Sequence, residues 1–149
     1  MNEIQIRRME VTDVDEVFFV ESQSFLSPWS RDTFEGEVLE NDLAYYLVLV
    51  IDEQVIGYAG MWLILDEAHV TNIAILPQYR AKGLGEKLVA ALVEHAKAKG
   101  AVSMTLEVRV SNVVARHLYD KLGFESCGLR RQYYTDTQED ALIMWRHNL

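Results

Sequence analysis

Apolar positions change their spacing repeatedly along this chain, and each change marks an element. Ile4-Gln5-Ile6 alternates and reads as a short first strand. Val14, Val17, Phe18 and Phe25 then fall on one helical stripe. Thr12 stands where it can cap that helix, and Asp13, Asp15 and Glu16 place negative charge in its first turn, where it is favoured. Ser27-Pro28-Trp29-Ser30 breaks the stripe, and Ser30 with Asp32 starts a second helix through about Leu39. Two strand-like runs follow, Tyr45–Ile51 and Val55–Leu65, joined by Asp52-Glu53-Gln54, which is a hairpin length.

A further strand spans about Ala68 to Ile75 and ends at Leu76-Pro77. A loop leads from it into a long helix from Gly83 or Leu84 to Lys99, with Leu84, Leu88, Ala91, Leu92 and His95 at helical spacing and Gly100 at its end. Val102, Met104, Leu106 and Val108 alternate as a strand. Ser111 or Asn112 caps a short helix carrying Val114, Leu118 and Leu122, terminated by Gly123. Phe124 onward and Ala141–Trp145 are the last strand candidates. The β-α-β-α-β order of the second half predicts a mixed α/β sheet with parallel pairing in its middle.

Length and composition narrow the class. The chain has 149 residues, half of them hydrophobic and a quarter charged, with two prolines and no repeat or Gly/Ser linker, so a single domain over residues 1–149 is expected. The longest apolar run, Leu43 to Ile51, falls well short of the roughly 20 residues a membrane helix needs. The opening MNEIQIRRME lacks the apolar stretch of a secretion signal. A soluble, cytoplasmic protein without a membrane partner is the expectation. Cys127 is the only cysteine, and the histidines at 69, 95, 117 and 147 show no metal-ligand spacing, so no metal is expected. The net charge of −9 argues against a direct nucleic-acid role, which usually requires a basic face. An acidic surface serves solubility and also attracts basic peptides.

Against that acidity, Arg80-Ala81-Lys82-Gly83-Leu84-Gly85 brings cations and glycines together at the opening of a helix, with Lys87 following. Glycines let backbone N–H groups approach a ligand, and a helix start concentrates unpaired donors and partial positive charge, so a pyrophosphate fits there. A plain turn with solvated cations is the alternative on these residues alone. The nucleotide P-loop spacing is absent, and Leu88 stands where a dinucleotide loop needs its third small residue.

The Arg80–Gly85 segment resembles the Q/R-x-x-G-x-G/A pyrophosphate loop of the GNAT acetyltransferases. The resemblance continues through Asn72-Ile73-Ala74-Ile75-Leu76-Pro77, through Leu106-Glu107-Val108-Arg109-Val110-Ser111-Asn112 and through Ala115 to Phe124, covering nearly the whole chain. Ser24-Phe25 with Pro28-Trp29-Ser30, the Leu-Glu-Val-Arg run, and Arg131-Gln132-Tyr133-Tyr134 followed by Glu139-Asp140-Ala141 are similar to the RimI-type ribosomal-protein alanine N-acetyltransferases. The resemblance implies a GNAT fold: a mixed, mostly antiparallel central sheet with a splayed parallel strand pair and flanking helices. It also implies acetyl-CoA as co-substrate and, as partner, a protein N-terminus, that of the alanine-starting protein eighteen of the small ribosomal subunit. Acetylation of lysine side chains or a small free amine, and a non-catalytic acyl-CoA-binding module, are the rival readings.

Acetyl transfer to an amine needs a proton acceptor for the amine, a held thioester, a stabilised oxyanion and a proton for the leaving thiolate. On residues alone, Glu107 is either a base or a solvated strand-end carboxylate, and Tyr119 either a proton donor or a core aromatic. The resemblance assigns Glu107 as base and Tyr119 as acid. By position it gives Ile73, Ala74 and Ile75 to the pantetheine arm and the oxyanion, and Arg80, Ala81, Lys82, Gly83, Leu84 and Gly85 to the pyrophosphate. Asn112 matches a cofactor-contacting Asn and reads equally as a helix cap. Phe25, Tyr133 and Tyr134 are the expected acceptor-binding residues. Strand alternation predicts that only one of the two tyrosines faces the acceptor.

Overall fold

The computed structural model describes residues 3–149. Its strands are β1 (Ile4–Arg8), β2 (Ala44–Ile51), β3 (Gln54–Ile64), β4 (Glu67–Ile75), β5 (Ser103–Arg109), β6 (Glu125–Tyr134) and β7 (Glu139–His147). Its helices are α1 (Val14–Ser24), α2 (Arg31–Leu39), α3 (Leu84–Ala98) and α4 (Val113–Lys121). The strands form one sheet in the order β1-β2-β3-β4-β5-β7-β6, mostly antiparallel, with β4 and β5 as the parallel neighbours. This is the mixed sheet with flanking helices that the sequence implies. The β4-α3-β5 crossover makes the parallel pair. The β5-α4-β6 crossover does not make a second one, because β7 lies between β5 and β6 and pairs with both.

Two neighbouring tyrosines of β2 define the layers. The Tyr45 hydroxyl bonds His95 Nδ1 on α3 at 2.6 Å, whereas Tyr46 donates to Glu37 on α2 at 2.9 Å. Adjacent strand residues face opposite ways, so α3 covers one face and α1 with α2 the other. Covering both faces buries β2 along its whole length, which is why its sequence is an unbroken apolar run rather than an alternating one. Helix α4 lies beside α3, where Lys121 Nζ reaches Glu86 at 3.1 Å. Among the described residues no helix is long and apolar enough to cross a membrane.

Local chemistry corrects two sequence expectations. Thr12 does not cap the first helix. It lies within a 3-10 turn at Val11–Asp13, and the Asp13 carboxylate accepts from Glu10 N at 2.8 Å while pairing with Arg7 at 2.8 Å. The carboxylate outcompetes the threonine hydroxyl because it serves the open amide and a guanidinium together. The β2–β3 turn is Asp52-Glu53 alone, with φ of 50° and 67°, and Gln54 already belongs to β3. Two left-handed residues match the twist of the flanking strands. Ser30 caps α2 as expected, accepting from Thr33 N at 3.1 Å.

Candidate active site

The parallel pair is short. Strand β4 meets β5 only at Glu67↔Ser103, Ala68↔Met104 and His69↔Thr105. From Val70 on β4 and Leu106 on β5 the two strands part, leaving two facing backbone edges without a partner strand. The β3–β4 register also shifts here, between Gly60 and Met61, so that Thr71 is the extra residue of a bulge. A bulge bends the strand that carries it. Thr71 and Asn72, although adjacent, both turn to the α1/α2 face: Thr71 Oγ1 bonds the Tyr46 hydroxyl at 2.9 Å, and Asn72 Nδ2 reaches the Tyr58 hydroxyl at 3.2 Å. Gly60 makes this possible, because a Cβ there would lie 2.1 Å from the Tyr46 ring. Ile73, Ala74 and Ile75 continue β4 beyond the bulge, along the open edge.

The edge ends at the glycine loop. Gly83 takes φ 77°, and a Cβ on it would meet nothing within 4 Å, so the glycine serves conformation and leaves open space. Amide N–H groups of residues 81–86 find no hydrogen-bond partner among the described residues. With the positive end of the α3 dipole behind them, they suit a phosphate chain. Ala81 also stands at positive φ, 61°. Lys82 is exposed, its ammonium 5.8 Å from the centre of the Tyr79 ring. Leu84 is buried and anchors the loop, and Leu118 of α4 lies beside Gly85, 3.6 Å from where a Cβ would stand. Arg80 also fastens the loop: its Nε donates to the Ile75 carbonyl at 2.9 Å and its Nη2 to Ser24 Oγ at 3.3 Å. An unpaired strand edge running into a cradle of open amides fits an extended thioester carrier ending in phosphates, as acetyl-CoA is.

Glu107 stands on β5 where the strands part, on the face of Thr105 and Arg109, its side chain one-quarter exposed and Arg130 Nε 3.6 Å away. Tyr119 is buried against Phe124, ring centroids 5.8 Å apart. Its hydroxyl makes no hydrogen bond among the described residues, and since no fully buried polar side-chain atom there lacks a partner, that oxygen is not fully enclosed. Burial pushes its phenol well above the ordinary tyrosine range, with Tyr134 adding to the shift. Tyr119 therefore stays protonated through the neutral range, as a proton donor must.

The two tyrosines of β6 correct the alternation argument. Gln132 takes φ 51° and the β6–β7 register breaks between Arg130 and Tyr134. The break turns both rings to one place, edge to face with centroids 5.0 Å apart. Burial raises both phenols, Tyr134 to about 12, and the Glu107 charge contributes to each shift. Arg130 bridges this pair to Glu107, its Nε 3.6 Å from the carboxylate and its guanidinium 5.9 Å from the centre of the Tyr133 ring. Asn112 is the cap of α4, its Oδ1 accepting from Ala115 N at 3.2 Å. Phe25 is the exposed residue that closes α1, and no ring contact among the described residues joins it to either tyrosine.

The sequence argument missed a buried polar network beneath the bulge. Glu21 is 1% exposed and accepts from the Tyr58 hydroxyl, from Trp29 N at 2.8 Å and from Asn72 Nδ2 at 3.4 Å. Glu37 accepts from Tyr46, from Trp62 Nε1 at 2.8 Å and from Asn41 Nδ2 at 2.6 Å. Among the described residues neither carboxylate has a cation in contact. Hydrogen-bond donors hold both carboxylates, tying α1 to β4 through Asn72 and α2 to it through Tyr46 and Thr71, where the strand bends. The available signal was a Glu inside each apolar helical stripe, Glu21 beside Val17 and Val20 and Glu37 beside Phe34.

A parted parallel pair, an open-amide loop and a carboxylate at the parting define an acyl-CoA-dependent transferase site. The chain belongs to the Acetyltransferase (GNAT) family, whose profile matches residues 9–124. Its relatives are narrower in kind. The [Ribosomal protein bS18]-alanine N-acetyltransferase of Salmonella typhimurium is 38% identical over 146 residues, covering 97% of this chain and 96% of that protein. A Bacillus subtilis protein given the same activity provisionally is 50% identical over 140 residues, covering 94% and 93%. The crystal structure of the ribosomal-protein-S18-alanine N-acetyltransferase from Escherichia coli superposes with a TM-score of 0.89 at 35% identity, covering 99% of this chain and 94% of that one.

Proposed function

We propose that this protein transfers the acetyl group of acetyl-CoA to the N-terminal α-amine of an alanine-starting protein, ribosomal protein bS18. The observation that carries the reading is Glu107 at the parting of β4 and β5, joined through Arg130 to the Tyr133–Tyr134 pair, in a chain that matches a relative of that activity over nearly its full length. A ribosomal acceptor places the reaction in the cytoplasm.

Acetyl-CoA, when bound, supplies an activated acetyl thioester. Ile73, Ala74 and Ile75 hold its arm along the open edge and turn an N–H to the oxygen that becomes negative. Residues 81–86 hold its phosphates through backbone amides, with Lys82 adding charge and Arg80 fixing the loop to β4. The Nδ2 of Asn112 remains available to the carrier while its Oδ1 caps α4. Glu107 takes the proton that the acceptor nitrogen releases as its C–N bond forms. Tyr119 returns a proton to the sulfur as the C–S bond breaks, so the products are the amide and a neutral thiol. Tyr133 and Tyr134 flank the first peptide unit of the acceptor, and Phe25 lies beyond it.

An α-amine is the easier acceptor for one carboxylate. Its pKa near 7.7–8.0 leaves roughly a tenth of it neutral at pH 7, against under one in a thousand for lysine near 10.4. The test is incubation with labelled acetyl-CoA and small-subunit ribosomal proteins, with the label located by mass spectrometry. Label on the first residue of bS18 is the expected result. Label confined to lysines or to small amines overturns the proposal.

A further inference from the structure

We infer that Arg109 is the positioning residue of the acceptor slot, an inference that rests on the assignment of the tyrosine pair to the acceptor side. Arg109 ends β5 two residues beyond Glu107 and on the same face. Its guanidinium lies 4.0 Å from the centre of the Tyr134 ring. Nη2 donates to both carboxylate oxygens of Asp136, at 2.9 and 3.1 Å, and Nη1 to Thr137 Oγ1 at 2.9 Å. Glu139 stands 3.7 Å from Nη1. One planar group therefore grips both a wall of the slot and the turn that follows it.

The slot needs such a grip because the sheet does not supply one. Between Arg130↔Ala141 and Tyr134↔Glu139 the β6–β7 ladder is interrupted, so Tyr133 sits on a stretch without pairing. Side chains bridge the gap instead: Gln132 N donates to Asp140 Oδ1 of β7 at 2.9 Å, Ser111 N just beyond β5 donates to Glu139 Oε2 of β7 at 2.7 Å, and Arg109 of β5 donates to the turn. The pair of rings beside Glu107 is thus indexed to the strand that carries Glu107. Only arginine suits the position, since stacking on a ring and forking to a carboxylate at once requires a planar guanidinium that lysine lacks. Arg109 acts through Tyr134 and has no part in proton transfer.

The experiment compares Arg109→Lys, Arg109→Gln and Asp136→Asn with the parent, using steady-state kinetics for each substrate and thermal melting. The acceptor is whichever the parent acetylates faster, an Ala-Arg peptide with a free terminus or a terminally blocked peptide with an internal lysine. Both Arg109 variants should raise the acceptor KM about 10- to 100-fold, the cost of a misplaced slot. The acetyl-CoA KM should stay within about twofold, since uniform binding there is untouched. Lysine should fail to rescue, and Asp136→Asn should fall between parent and variants because the ring contact persists. A parent-like acceptor KM in the Arg109 variants overturns the inference, as does an equal rise for both substrates together with a lowered melting temperature. A parent that prefers the blocked peptide defeats the N-terminal reading instead, and the same variants measured on that peptide still decide the role of Arg109.

Discussion

Arg80 donates from Nε to the carbonyl oxygen of Ile75 at 2.9 Å, and from Nη2 to Ser24 at 3.3 Å. The first residue of the glycine loop is therefore fastened to the last residue of the open β4 edge and to the end of α1. Three segments, the loop, the open edge and the end of α1, share one side chain.

Two changes in this loop should separate fastening from direct phosphate binding. Gly83→Asp sets a carboxylate and a left-handed non-glycine residue where the amides open, and should weaken acetyl-CoA binding by at least about tenfold, or roughly 1.4 kcal/mol. Arg80→Ala should weaken it less, because the backbone amides remain. Calorimetric titration with acetyl-CoA measures both, and parent-like binding in the pair contradicts the loop assignment.

Tyr119→Phe removes a hydroxyl that makes no hydrogen bond among the described residues. Melting should hardly change, whereas turnover should fall by about 10²–10⁴-fold, the usual contribution of a general acid. Because burial raises this phenol, the parent should show no loss of turnover from Tyr119 ionisation below about pH 10. A descending limb that begins near neutrality and disappears in Tyr119→Phe contradicts the assignment.

Tyr58→Phe takes a donor from the buried Glu21 carboxylate. Loss of a hydrogen bond to a charged group costs about 1.5–3 kcal/mol. For a chain of this length that corresponds to a melting temperature lower by roughly 3–12 °C. Scanning calorimetry decides it, and an unchanged transition shows that Glu21 does not depend on Tyr58.

Tyr46, Tyr58 and Tyr119 are all raised above the ordinary phenol value, chiefly by burial. Above about pH 10 the unfolded chain releases these protons while the folded chain keeps them. The native state then binds more protons, so stability falls as pH rises through that range and is fully retained below it. Denaturant midpoints measured from pH 8 to pH 11 should drop only in the upper part, and a flat profile contradicts the burial of the three phenols.

The elements were legible because periodicity reports burial: the unbroken run in β2 and the Ser30 cap both read correctly. The parting of β4 from β5 was not derivable from the local pattern. It depends on a bulge at Thr71 and on Tyr46 resting over Gly60, contacts between residues far apart in sequence. Glu107 and Tyr119 were named through the family resemblance, since a strand-end glutamate and a helical tyrosine look the same in any fold. Tyr133 and Tyr134 were named as well, but alternation placed them on opposite faces, because the left-handed Gln132 that brings them together carries no glycine to announce it. The bond from Arg80 to a carbonyl five residues back was not legible either, because composition does not announce it.

The central claim is that Glu107 deprotonates an N-terminal amine lying between Tyr133 and Tyr134. Its most direct measurement is the rate of acetylation of an Ala-Arg peptide with a free terminus against a terminally blocked peptide carrying one internal lysine, in parent and Glu107→Gln. The account predicts faster acetylation of the free terminus, with the acetyl group on the first nitrogen, and a loss of about 10²–10⁴-fold in Glu107→Gln. Faster acetylation of the blocked peptide, or parent-like turnover in Glu107→Gln, contradicts it.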